Sequence, residues 1–180
     1  MTADDKINLL LGVCGVETAN KAADCVRVWR RLVRIDNASS DKRFAFTQAR
    51  TVTDFFVGLI TKDLNGGALD TWLKETGNEF DRAKGMKAAV RHQITLDIYV
   101  DEFEMIFVVS RNRVRSNDRT EADTISVRFV QPAPDAENEF VYGLRSKDYK
   151  AGSKLIRRLD GENIRGWGTC LTEDIAGNLD

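Results

Sequence analysis

Residues 94–110 read ITLDIYVDEFEMIFVVS, and the fold turns on whether they form strand or helix. Ile94, Leu96, Ile98 and Val100 alternate with Thr95, Asp97 and Tyr99. That period of two, rich in β-branched residues, fits a pleated surface with one buried face. The same residues carry a second pattern. Leu96, Val100, Phe103 and Phe107 fall at i, i+4, i+7 and i+11, one stripe of a helix. Propensity favours strand, whereas the run from Met86 to Ser110 without a glycine or proline favours helix. Periodicity alone leaves both open.

Upstream, most segments read as helix. Asp4 and Asp5 can cap a first helix carrying Ile7, Leu9, Leu10, Leu11 and Val13, weakened by Gly12 and Gly15. A second, starting at Thr18 or Asn20, aligns Val28, Leu32 and Ile35, with Arg27, Arg30, Arg31 and Arg34 on the remaining surface. Residues 36–41 are a turn by composition. Phe44 and Phe46 then precede Thr47, a candidate N-cap for a helix of Ala49, Val52, Phe55, Phe56, Leu59 and Ile60 that Asn65-Gly66-Gly67 stops. Leu69, Trp72 and Leu73 mark a short helix ending at Gly77, and Phe80, Met86 and Val90 another from Asn78.

Downstream, Arg111 opens a polar, arginine-rich loop to Asp123. Ile125, Val127 and Phe129 form a short strand, Phe140 to Tyr142 a second, and Lys147 to Leu159 a basic helix. The expected fold is therefore mainly α, one domain over residues 1–180, an antiparallel helical bundle with a small β element. The alternative is α+β with a hairpin at 94–130.

Composition narrows the function classes. With 42% hydrophobic and 31% charged residues in 180, the chain has the make-up of a soluble globular domain. A formal charge of -1 excludes a uniformly basic protein, so nucleic-acid contact would require local clusters of arginine. Cys14, Cys25 and Cys170 are too few and too scattered for a disulfide framework or a zinc site, and buried free thiols are expected at the first two. No metal or cofactor is expected. His92 is the lone histidine, without a nucleophile or second ligand at any motif spacing, and no phosphate-binding glycine loop is present, so no catalytic residue is assigned and an enzyme is not expected. The N-terminus lacks a basic region leading into an apolar run, so no secretory leader is expected. The longest apolar stretch, Met105 to Val109, is far short of a membrane span.

One stretch suggests a family. In WRRLVRIDNASSDKRFAFTQARTVTDFFVGLITKDL, residues 29–64, Trp29 and Leu32 precede Phe44, and Arg50 follows after five residues among apolar and small neighbours. This resembles the coat proteins of rod-shaped plant RNA viruses, the tobamovirus, tobravirus and hordeivirus group. There a tryptophan-bearing helix precedes a phenylalanine and then an arginine that opens a second core helix. Phe44, Gln48, Ala49, Arg50, Thr51 and Val52 look like the tobamovirus form; Phe56, Val57, Leu59, Ile60, Asp63 and Leu64 look like the hordeivirus form. Leu96-Asp97 followed by Arg111-Asn112-Arg113 is similar to a tobamovirus helix that ends in an arginine pair near the RNA. Arg157-Arg158-Leu159-Asp160 resembles the inner end of another RNA-facing helix. The family's C-terminal aromatic and tryptophan signature has no counterpart here.

The resemblance implies a capsid subunit that self-assembles into a helical rod or filament around single-stranded RNA, located in the virion and host cytoplasm, with no membrane partner. Arg50, Arg111, Arg113, Arg157 and Arg158 would contact the RNA backbone, because encapsidation needs phosphate contacts independent of sequence. Asp97 would be a subunit-interface carboxylate, facing another whose charge raises its pKa, so that protonation favours assembly. The alternative is a small α+β protein-binding or accessory module with no enzymatic activity.

Overall fold

In the computed structural model, residues 3–14, 22–35, 41–82, 92–114, 120–132 and 155–166 are described, those at 3, 76–82, 112–114 and 120–121 by their backbone alone. Helices α1 (Ala3–Cys14), α2 (Ala22–Arg30), α3 (Val52–Gly58) and α4 (Ala68–Arg82) accompany strands β1 (Val33–Arg34), β2 (His92–Tyr99), β3 (Glu104–Val114), β4 (Thr120–Val130) and β5 (Ile156–Asp160). The strands form one sheet in the order β1-β4-β3-β2-β5, with every neighbouring pair antiparallel.

The sheet overturns the expectation of a mainly helical bundle, and the deciding segment shows why. A turn over residues 100–103 splits it, with Phe103 in the left-handed region at φ 47°. The two arms then pair Ile94 with Val109, Leu96 with Phe107 and Ile98 with Met105. A helix would have aligned Leu96, Val100, Phe103 and Phe107 and left the others off the stripe. The hairpin buries all of Ile94, Leu96, Ile98, Val100, Phe103, Met105, Phe107 and Val109. At about 1.5–3 kcal/mol for each fully buried large apolar side chain, the additional burial outweighs helix propensity. Phe103 packs its ring on Trp29 at 5.4 Å, a contact that offsets the strained backbone of the turn.

The expected alternative hairpin is also rearranged. β2 does not pair with β4, because β3 lies between them, matching Met105 with Phe129, Phe107 with Val127 and Val109 with Ile125. The arginine-rich segment opening at Arg111 continues as β3 to Val114 rather than as a loop. The basic helix expected up to Leu159 ends instead in β5, which pairs with β2. Residues 83–91, 115–119, 133–154 and 167–180 lie outside the described residues, and with them Met86, Val90, the strand expected at Phe140 to Tyr142, the first part of that helix and Cys170.

Helices cover one face of the sheet. Phe55 on α3 meets Phe107 at 5.3 Å and Phe129 at 5.5 Å, and Phe46 meets Phe107 at 5.1 Å, so an aromatic cluster joins the two layers. The helical hairpin read into residues 29–64 is interrupted: α2 stops at Arg30 and the chain enters β1 before reaching α3. Thr51, not Thr47, caps α3, accepting a hydrogen bond from Asp54 N at 3.1 Å. Thr47 is buried in a 3-10 turn, Phe46–Gln48. A π-helical turn, Leu59–Asp63, follows α3 and carries the buried Asp63, whose carboxylate accepts the Ala45 and Phe46 N–H groups at 3.0 and 2.7 Å. The carboxylate thereby anchors the 3-10 turn beneath α3. Burial raises the Asp63 pKa above the usual carboxylate value, against the lowering pull of these two N–H donors. Asn65 and Gly66, both at positive φ, end this region as expected, and α4 then runs past Gly77 to Arg82.

Candidate interaction surface

Strand alternation assigns every sheet residue to the helix-covered face or to the opposite face, here called the open face because no described helix lies over it. On the open face, register sets Arg158, Asp97, Ile106 and Arg128 in one row across β5, β2, β3 and β4. Neighbouring rows hold Asp160, Thr95, Val108 and Ser126, and then Ile156, Tyr99 and Glu104. Ile106, Val108 and Tyr99 are half-buried, while Arg128, Arg158, Ile156 and Asp160 are exposed.

Two ion pairs frame this strip. Arg158 donates through Nε and Nη2 to both carboxylate oxygens of Asp97, at 2.7 and 2.8 Å. Arg128 Nε donates to Glu104 Oε1 at 2.6 Å. The carboxylate side chains are covered, 14% and 13% exposed, under guanidinium side chains that are 68% and 52% exposed. The hydrogen bond to Asp97 holds the Arg158 pKa above its ordinary value, and that to Glu104 does the same for Arg128. This face thus carries two exposed guanidinium groups on either side of a half-buried apolar strip.

The other expected site residues are dispersed. Arg50 is exposed just ahead of the Thr51 cap and has no ion pair with Asp54 among the described residues. Arg157 turns to the helix-covered side and donates to the Val13 carbonyl at 3.1 Å. Arg113 sits in β3 opposite Glu121, with its side chain outside the description. Arg111 is only 2% exposed. Its guanidinium stacks on the Trp72 ring at 4.1 Å, donates to the Trp72 carbonyl at 3.0 Å and to Asp123 at 3.2 Å, and lies 3.7 Å from Glu75. These partners engage the group inside the fold, as part of a charged layer at one end of the core. Asp97 faces Arg158 of its own chain, not a second carboxylate.

His92 belongs to that end layer, in register with Arg111 and on the face opposite to Asp97. Partial desolvation of a ring that stays exposed, then the charge of Arg165, lower its pKa, with Asp70 pulling the other way. Asp101 is tied elsewhere, accepting the Leu155 N–H at 2.7 Å, so His92, Asp97 and Asp101 do not converge. No group of residues with metal-ligand character is found among the described residues, and no described helix is long and apolar enough to cross a membrane.

Sequence reasoning passed over Arg128, Glu104, Tyr99 and Ile106. The signal for Arg128 was the alternation of Ile125, Val127 and Phe129, which leaves Arg128 on the opposite face. Glu104 could be matched to it only once the β3–β4 register was fixed. Comparison of the chain with protein-family models, with curated proteins and with solved structures finds no match.

Proposed function

We propose that the chain is a small α+β binding module without enzymatic chemistry, and that it engages a protein partner through the open face of its sheet. The observation that carries this reading is the pairing of exposed Arg128 and Arg158 with covered Glu104 and Asp97 around Ile106, Val108 and Tyr99. Arginine and tyrosine beside aliphatic side chains are the residue types that dominate protein–protein hot spots. A polyanion is a poorer fit, since each guanidinium already shares its charge with a carboxylate and few phosphates could be neutralised. Encapsidation of RNA rested on aligning helices with those of rod-virus coats, and the sheet removes that alignment for Asp97, Arg111, Arg157 and Arg158.

The test is selection of a random peptide library on the purified chain, with binding then measured to wild type and to Ile106→Lys of unchanged circular dichroism. Ligands that lose affinity for the variant support the open face. Ligands indifferent to it would sink the proposal. Filament formation on adding single-stranded RNA at physiological salt would reinstate the coat reading in its place.

A further inference from the structure

A sheet edge with outward backbone groups is a template for another strand. β1, at one edge, pairs over only two residues; β5, at the other, runs for five, and among the described residues no strand lies beyond it. Val100 N–H donates to the Leu155 carbonyl at 3.0 Å, which fixes the phase of the β2–β5 ladder. By antiparallel alternation, Leu155, Arg157 and Leu159 turn their backbone groups toward β2, while Ile156, Arg158 and Asp160 turn theirs outward.

Two copies of β5 can pair across a two-fold axis only if outward residues meet outward residues. The axis must then pass through a residue, and side-chain charge separates the choices. An axis at Arg158 sets that arginine against its own copy. An axis at Arg157 sets Ile156 against Arg158 of the second copy. An axis at Leu159 sets Arg158 against Asp160 of the second copy, twice. We propose that the chain forms a two-fold dimer through β5, centred on Leu159, in which the exposed Arg158 and Asp160 of each copy pair reciprocally and the two sheets become continuous.

The side chains have capacity for this contact. Arg158 uses Nε and Nη2 on Asp97 and keeps Nη1 for a second carboxylate. Asp160 accepts from Asn163 N and Nδ2 through Oδ1, at 2.9 and 2.8 Å, is also approached by the Glu162 N–H, and retains acceptor lone pairs for a further donor. The Asn163 backbone N–H lowers the Asp160 pKa, so the group stays ionised at neutral pH. In this register the Asp160 N–H of each copy faces the Arg158 carbonyl of the other. A net charge of -1 adds little global repulsion between copies.

Sedimentation velocity of the full chain, from micromolar to submillimolar concentration, tests the dimer. Wild type is expected to dimerise, more weakly as salt rises. Asp160→Lys sets like charges across the axis, and Arg158→Pro removes an outward N–H together with the Asp97 ion pair while leaving the backbone hydrogen bonds to β2. Both are expected to sediment as monomers with unchanged far-ultraviolet circular dichroism; if the proline disturbs the fold, Asp160→Lys decides. Ile106→Lys leaves the dimer intact, so this edge and the open face fail or stand separately. A wild type that stays monomeric throughout, or a dimer that survives Asp160→Lys, overturns the proposal.

Discussion

The guanidinium of Arg111 lies 4.1 Å over the Trp72 ring and donates a 3.0 Å hydrogen bond to the carbonyl of the same residue. One contact thus joins the end of β3 to α4 and closes the core there. Asp123 and Glu75, its carboxylate neighbours, are 40% and 61% exposed and can rehydrate when the arginine is removed. Arg111→Ala therefore strands no buried charge among the described residues. Its cost is the lost packing on Trp72 and one charge-assisted hydrogen bond to a carbonyl that keeps its place in the α4 ladder, about 1.5–3 kcal/mol. Arg111→Met keeps the stem over the ring and is expected to lose less, whereas Arg111→Lys lacks the planar group that stacks and forks. Urea denaturation of the three variants ranks them; a neutral Arg111→Ala would contradict the seat on Trp72.

Asp63 ties the π turn to the 3-10 turn through two N–H groups of Ala45 and Phe46. Asp63→Ala leaves the buried Phe46 N–H unpaired, at about 1–3 kcal/mol, and the part-buried Ala45 N–H at a smaller cost. Because burial raises its folded pKa above the ordinary value of 3.8, the folded state binds this proton more tightly than the unfolded one. Its pH-dependent contribution is fully present below 3.8 and is lost as pH rises through the raised value. A carbon-13 titration of this carboxyl is expected to give a midpoint above 3.8. A lower midpoint would mean that the two N–H donors outweigh burial.

How far the fold was legible depended on where the chain breaks its own pattern. Asn65-Gly66-Gly67 marked its stop in composition, and the structure places Asn65 and Gly66 at positive φ there. Asp101-Glu102-Phe103 carries no glycine or proline, so the turn that makes 94–110 a hairpin had no local signal. It exists because pairing buries both arms. β5 was hidden for a different reason. Arg157-Arg158-Leu159 has weak strand propensity, and Ile156–Asp160 becomes strand through its register with β2, including the Asp97–Arg158 pair. The candidate surface depends on that register as well. Asp97 and Arg158 were both singled out, but their meeting across 61 residues of sequence is set by tertiary pairing.

The two glycines after the π turn separate conformational strain from steric contact. Gly66 has φ +86° and open space where a Cβ would stand, so Gly66→Ala meets only backbone strain, about 1–2 kcal/mol. At Gly67 a Cβ would sit 1.9 Å from the Lys62 carbonyl oxygen, a backbone atom that cannot swing aside. Gly67→Ala must displace the turn and is expected to destabilise the chain more than Gly66→Ala. Thermal unfolding of the pair gives the order, and equal losses would mean that the turn yields freely.

His92, the single histidine, reports on how residues 161–166 seat against β2 and α4. Arg165 Nη1 pairs with Asp70 Oδ1 at 2.6 Å, and Asp70 Oδ2 accepts the Gly66 N–H at 2.8 Å, so the helical residues 161–166 are fastened to the start of α4. Partial desolvation and the Arg165 charge lower the His92 pKa from 6.5, with Asp70 opposing. A histidine lowered in this way takes up its proton less readily when folded. Its contribution to stability is present above 6.5 and is lost as pH falls through the lowered value. The proton-NMR titration of this imidazole is expected to have a midpoint below 6.5 in the wild type. Arg165→Ala removes a repelling cation and leaves Asp70 without that partner, so the midpoint should rise. A midpoint that ignores this substitution would place Arg165 away from His92 and unfasten residues 161–166 from this end of the sheet.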